Sequence, residues 1–110
     1  MGTWVTQVRK GLVELCVLAA LKDGEAYGYE ILRSLAGAGS LAITESTVYP
    51  VLARLSNEGL LEVRVAPSPQ GPPRRYYRLT ADGRRQFHEM RSYWTELTAS
   101  VNALVYGDKP

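Results

Sequence analysis

Two short β-forming runs are separated by a segment that neither a strand nor a helix can absorb. LLEVRV at 60–65 alternates apolar and polar side chains and is rich in branched residues, the pattern of a half-exposed strand. RRYYRL at 74–79 returns with aromatic side chains suited to packing and arginines suited to an exposed face. Between them, APSPQGPP is too rich in proline and glycine to continue either run, so it makes the turn. The hairpin follows directly on a short helical pattern, and that order constrains the fold more than any other feature of the chain.

The preceding helical pattern has its core face at Val48, Val51, Leu52 and Leu55, and Asn57 to Gly59 supply the stop. Thr44 and Ser46 are both able to cap its start. With Ser46 as cap, Pro50 falls at the end of the first turn and costs one hydrogen bond; with Thr44 it falls deeper and bends the helix. Upstream, Leu12, Leu15, Cys16, Ala19 and Ala20 recur three and four apart, predicting a buried first helix that ends near Lys22 to Gly24. Gly28, Ile31, Leu32 and Leu35 form the stripe of a second helix, stopped by GAGS at 37–40. Gly28 is read as a point of close approach by another element, because an interior glycine otherwise costs about 1 kcal/mol relative to alanine.

Three helices feeding a two-stranded hairpin, with a long fourth helix behind them, predict a mainly helical α+β fold. The expected architecture is a winged helix-turn-helix domain over residues 1–80, including an N-terminal helical extension, and a C-terminal dimerisation helix and tail over 81–110. Thr80 is placed to cap the last helix, with Asp82 at the end where negative charge is favourable.

Charge distribution says more than the net charge of +2. Six arginines between Arg64 and Arg85 face one acid, Asp82, whereas residues 1–45 hold four basic and five acidic side chains. Such asymmetry points to an anionic partner on one side of the molecule. On the third helix, the side opposite the core carries Ser46, Pro50, Ala53 and Asn57, flanked by Thr47, Tyr49 and Arg54. Small residues ringed by hydrogen-bonding ones suit a helix pressed into the DNA major groove. Ser46, Thr47 and Tyr49 are therefore candidates for phosphate or base-edge contact, and Arg54 for the backbone. In the hairpin, Arg74, Arg75 and Arg78 are candidates for phosphate contact through counterion release. Strand alternation puts Arg74 and Arg78 on one face and Arg75 on the other. Tyr76 and Tyr77 likewise face opposite ways, one of them anchoring the hairpin to the core.

Phe87, Met90, Trp94, Leu97, Val101 and Leu104 follow at spacings of three and four. The segment Asp82 to Tyr106 that carries this seam, about 37 Å at 1.5 Å per residue, exceeds what a small core covers, so a second copy of the chain is the expected partner. Trp4, Val5 and Val8 are read as a short extra helix closing over the same seam. A dimer presents two recognition helices to an inverted repeat with half-sites near one helical turn apart. Trp94 lies mid-seam, where it is either dimer core or the wall of an aromatic-lined cavity for a flat ligand.

Taken together, VELCVLAAL at 13–21, AYGYEIL, TESTVYPVLARLSNEGLLE and GPPRRYYRLTADGR make the chain similar to the PadR family of transcriptional regulators over nearly its whole length. The resemblance implies a dimeric bacterial repressor or regulator of the smaller subfamily, with a single C-terminal helix. Where that family commonly has glycine before Thr-Leu-Tyr-Pro, this chain has Ser46 before Thr47, Val48, Tyr49 and Pro50. Some small members bind planar drugs between dimer tryptophans and others respond to phenolic acids; Trp94 is similar in placement, which implies a planar aromatic effector.

Other classes fit less well. No glycine-rich phosphate loop, metal-ligand pair or nucleophile arrangement stands in the sequence, so neither an enzyme nor a cofactor or metal is expected. His88 has no cluster of ligands around it, and the single Cys16 is read as structural. No apolar run approaches the roughly 18 residues of a membrane span, and the N-terminus lacks a signal-peptide pattern, giving an expected cytoplasmic location without a membrane partner. A winged-helix module for binding another protein is the alternative to DNA readout.

Overall fold

The computed structural model describes residues 2–107; Met1 and residues 108–110 of the expected C-terminal tail lie outside the described residues. The elements run α1 (Gly2–Ala20), β1 (Ala26–Tyr27), α2 (Gly28–Ala36), a 3-10 turn (Gly39–Leu41), α3 (Glu45–Asn57), β2 (Leu61–Ala66), β3 (Arg74–Leu79) and α4 (Ala81–Tyr106). The core gathers Val17 and Leu18 of α1, Leu21 after it, Ile31 and Leu35 of α2, and Val48, Leu52 and Leu55 of α3. Leu61, Tyr77 and Leu79 close it from the sheet, and Phe87 from the first turns of α4.

The mainly helical α+β class holds, and three details differ from the sequence reading. First, the hairpin has a third strand. The sheet order is β1-β3-β2, with Ala26 opposite Tyr77 and Tyr27 opposite Tyr76. A strand of two residues carries no periodicity, and it forms only because the chain entering α2 passes beside β3. Second, Trp4, Val5 and Val8 do not form a separate helix. No proline or turn cluster stands between Trp4 and Leu12, and the single Gly11 weakens the helix without stopping it, so the turns propagate into one 19-residue α1. Those three side chains instead border a recess with Arg9, Ala38, Ser40 and Leu41, where Arg9 Nε donates to the Ser40 carbonyl at 3.0 Å. Third, Phe87 is only 6% exposed and belongs to the core of its own chain, not to the free part of the seam. The first two turns of α4 lie against the domain, and a residue at the start of a regular stripe cannot be told from its continuation by spacing alone.

Thr44 is the N-cap of α3, its carbonyl accepting from the Thr47 and Val48 N–H groups, both at 3.0 Å. Pro50 therefore sits in the helix interior and gives no N–H to the Ser46 carbonyl. At the other junction, Thr80 caps α4 by accepting from the Gly83 N–H at 3.0 Å and donates its hydroxyl to the Gly59 carbonyl at 2.7 Å. A Cβ on Gly83 would overlap the Leu60 carbonyl oxygen, so this glycine lets α4 start directly against the end of the α3–β2 connection. From there α4 runs 26 residues, about 39 Å, well beyond the domain that anchors it.

Candidate nucleic-acid interface

Burial of Val48, Leu52 and Leu55 turns the opposite side of α3 outward: Ser46, Tyr49, Pro50, Ala53, Arg54 and Asn57 are exposed and Thr47 is half-buried. Tyr49 is 39% exposed. Its ring rests on Gly28 at the start of α2, where a Cβ would stand 2.9 Å from Tyr49 Cε1 and 3.6 Å from its hydroxyl oxygen. The close approach expected of Gly28 is thus made by α3, through Tyr49.

The hairpin, or wing, reaches out beside this surface. Its register pairs Val65 with Arg75, Arg64 with Tyr76 and Glu62 with Arg78. Tyr77, 7% exposed, anchors the wing in the core, and burial pushes its hydroxyl pKa up. Arg75 stands on the same strand face as Tyr77, while Arg74, Tyr76 and Arg78 share the other. Between the wing, the start of α2 and α3 lies an open groove of about 460 Å³. Tyr27, Tyr29 and Tyr49 border it on the helical side, and Ser68, Gln70, Arg74 and Arg75 on the wing side. Tyr27 and Tyr29 are additions to the expected set; the tyrosines flanking Gly28 at a helix start were the available signal.

The arginines divide sharply by partner. Arg54 donates to Glu14 of α1 at 2.9 Å and to both oxygens of Glu58 at 3.2 Å, so two carboxylates offset its charge. Glu14 also accepts from Gln86 of α4 at 3.3 Å. Arg64 forms a forked pair with Glu25 at 2.7 and 3.1 Å, and these bonds hold the Glu25 carboxyl below the usual glutamate range. Arg78 is bonded to Glu62 at 2.7 Å and Arg85 to Asp82. Arg74 and Arg75 have no carboxylate partner among the described residues. Arg74 instead lies over the Tyr27 ring, its guanidinium carbon 4.5 Å from the centroid. Of the three wing arginines expected at phosphates, the two facing the groove are the two whose charge is free of internal pairing.

A second recess, about 290 Å³ and mostly apolar, separates α1 from α4 and is bordered by Leu12, Leu15, Met90, Tyr93, Trp94 and Leu97. Trp94 is 39% exposed there. Further along α4, Val101, Leu104, Val105 and Tyr106 project from the domain with no covering element among the described residues, Leu104 at 88% exposure. No group of three or more potential metal ligands occurs among the described residues, and no helix in them is long and apolar enough to cross a membrane.

A three-helix domain with a basic wing beside an outward-facing third helix defines a winged helix-turn-helix transcriptional regulator of the DNA-binding class. The model of the "Transcriptional regulator PadR-like family" matches residues 17–89, and the chain belongs to that family. It is 34% identical over 97 residues to a transcriptional regulator of Mycobacterium tuberculosis, covering 86% of this chain and 87% of that one. A solved PadR-like transcriptional regulator of Bacillus cereus superposes with a TM-score of 0.81 at 35% identity, covering 93% of this chain and 99% of the other. Bacillus subtilis PadR, solved in complex with operator DNA, matches at a TM-score of 0.66 and 25% identity over 72% of this chain and 46% of its own. The chain is a regulator and not an enzyme.

Proposed function

We propose that this chain is a dimeric repressor that seats α3 in the major groove of an inverted-repeat operator, grips the flanking phosphates with its wing and is released by a planar aromatic effector. The observation that carries the DNA contact is that Tyr49, on the outward face of α3, borders one groove together with Arg74 and Arg75. A guanidinium without an internal counter-charge loses least on meeting a phosphate, because no ion pair has to be broken. Arg74 and Arg75 are accordingly assigned to phosphates, and Ser46, Thr47 and Tyr49 to phosphates or base edges of the DNA major groove. Arg54 and Arg78 contribute less to binding, since Glu14, Glu58 and Glu62 already hold them; Arg54 chiefly sets the angle of α3 on α1. The operator complex of Bacillus subtilis PadR supports binding to operator DNA by likeness of fold.

The uncovered apolar side of α4 supports self-association through Met90, Trp94, Leu97, Val101 and Leu104, since an exposed patch of this length on a small protein marks an interface. Two copies would carry their α3 helices to successive major grooves, about 34–36 Å apart. The recess between α1 and α4 supports an aromatic ligand beside Trp94, at the edge of the same interface. Such a regulator works where promoter DNA lies, in the cytoplasm.

The decisive test is the salt dependence of binding to the DNA upstream of its own gene. Arg74→Ala is expected to weaken binding on all duplexes and to reduce the magnitude of the slope of log K against log salt by about one per half-site. An unchanged slope removes Arg74 from the phosphates. Weak association with no preference for the promoter duplex would instead favour a protein-interaction module.

A further inference from the structure

Across the outer face of the sheet, charged and aromatic side chains form a row built from β1 with the residue before it, β2, β3 and the start of α2. Glu25 holds Arg64 by two hydrogen bonds, and the Arg64 guanidinium carbon lies 4.6 Å from the Tyr76 ring centroid. Tyr76 leans on Tyr27 with centroids 5.6 Å apart and planes tilted by 54°. Tyr27 also neighbours Tyr29, 6.4 Å away at 29°, and carries Arg74 at 4.5 Å. The pairing of Tyr27 with Tyr76 across β1 and β3 fixes the two rings in register, and the Tyr27 N–H donates to Glu30 at 3.0 Å, locking the start of α2. The row begins on a neutralised arginine and ends on one with no carboxylate partner among the described residues.

We propose that Tyr27 is a positioning residue for the DNA interface: its ring, neighboured by Tyr76 and Tyr29, is the seat that holds the Arg74 guanidinium at the mouth of the groove. The proposal rests on the reading of Arg74 as a phosphate contact and adds what makes that contact effective. A free arginine side chain has large rotamer freedom that is lost when it binds. An aromatic face removes part of that freedom beforehand, so less is lost on meeting the duplex. The two-residue strand β1 then has a functional reason, since it places Tyr27 beneath Arg74. Tyr27 acts through Arg74 and its hydroxyl is not required.

The test is a double-mutant cycle on the full-length protein, binding a random-sequence duplex at low salt, where phosphate contact alone governs affinity. Tyr27→Leu is expected to weaken binding about threefold in the unmodified background and not at all in Arg74→Ala. Tyr27→Phe keeps the ring and is expected to bind like the unmodified protein. An equal loss from Tyr27→Leu in both backgrounds, or none in either while Arg74→Ala weakens binding, overturns the positioning role and leaves the phosphate reading standing. A loss in Tyr27→Phe equal to that in Tyr27→Leu overturns it in favour of a hydroxyl contact. If Arg74→Ala binds like the unmodified protein, the phosphate reading fails and the proposal with it. Should Tyr27→Leu not fold, the Arg74 side-chain proton shifts of the unmodified protein decide: ring-current displacement is expected, and random-coil shifts overturn the seat.

Discussion

Gly28→Ala places a methyl group 2.9 Å from Tyr49 Cε1, about 0.5 Å inside ordinary van der Waals contact. Gly28 is buried in the first turn of α2, so the backbone beneath the methyl is held by the core and by the Tyr27–Tyr76 pairing. The yielding part is therefore the Tyr49 ring, which is half-exposed and free to swing toward the groove. Overpacking of this kind costs about 1 kcal/mol where one side chain is able to give way, and alanine recovers part of that by its better helix propensity. The expected loss of stability is thus small, about 1 kcal/mol or less. The functional loss should be larger. A hydroxyl bond to a charged group is worth about 1.5 kcal/mol or more, so a displaced Tyr49 should weaken operator binding roughly tenfold. Urea unfolding at fixed protomer concentration and fluorescence anisotropy on the promoter duplex read the two quantities separately. In a Tyr49→Ala background the methyl has room, and Gly28→Ala should then leave both stability and affinity unchanged or slightly improve stability. Equal losses in the two backgrounds would refute the idea that Gly28 is kept small by the recognition helix.

Glu25 gives a pH test. Its folded pKa is depressed by the Arg64 hydrogen bonds, so the stability it lends is present above the unfolded glutamate value, about 4.3, and is lost as pH falls through the folded value. Glu25→Gln is expected to flatten that part of the acid limb in urea midpoints measured down to about pH 3; an acid limb identical to that of the unmodified protein would refute the linkage. Val101→Asp puts a carboxylate on the exposed side of α4 and should weaken the dimer at least about 100-fold in sedimentation velocity. In a Trp4→Phe background, quenching of Trp94 by acridine should disappear with the dimer; a monomeric unmodified protein, or quenching that survives in Val101→Asp, would contradict the shared interface and cleft.

Local pattern carried a large part of this protein. The alternation in LLEVRV and RRYYRL, the proline-rich turn and the three- and four-residue spacing of Val48, Val51, Leu52 and Leu55 are short-range properties, and the elements formed where those patterns placed them. That one of Tyr76 and Tyr77 anchors the wing, Thr80 as a cap and Gly28 as a point of close approach were legible for the same reason: each follows from strand alternation or helix geometry within a few residues, whereas the choice of Tyr77 came from the fold. The two-residue β1 was not legible, because its existence depends on β3 some fifty residues later.

What sequence could not decide was which positive charges remain available. Along the chain, Arg64, Arg74, Arg75 and Arg78 look alike, and the stretch around them is uniformly basic. Folding brings Glu25 to Arg64 across 39 residues and Glu14 to Arg54 across 40, while Arg74 meets a tyrosine face and Arg75 turns toward the groove. Hydrophobic periodicity records which side of an element is buried; Coulomb pairing depends on distances of a few ångströms that exist only after the elements have packed. The same distinction placed Phe87 in its own core, packed Met90 partly against it and left Trp94, Val101 and Leu104 exposed, since regular spacing defines a face and only tertiary structure determines how much of that face its own chain covers.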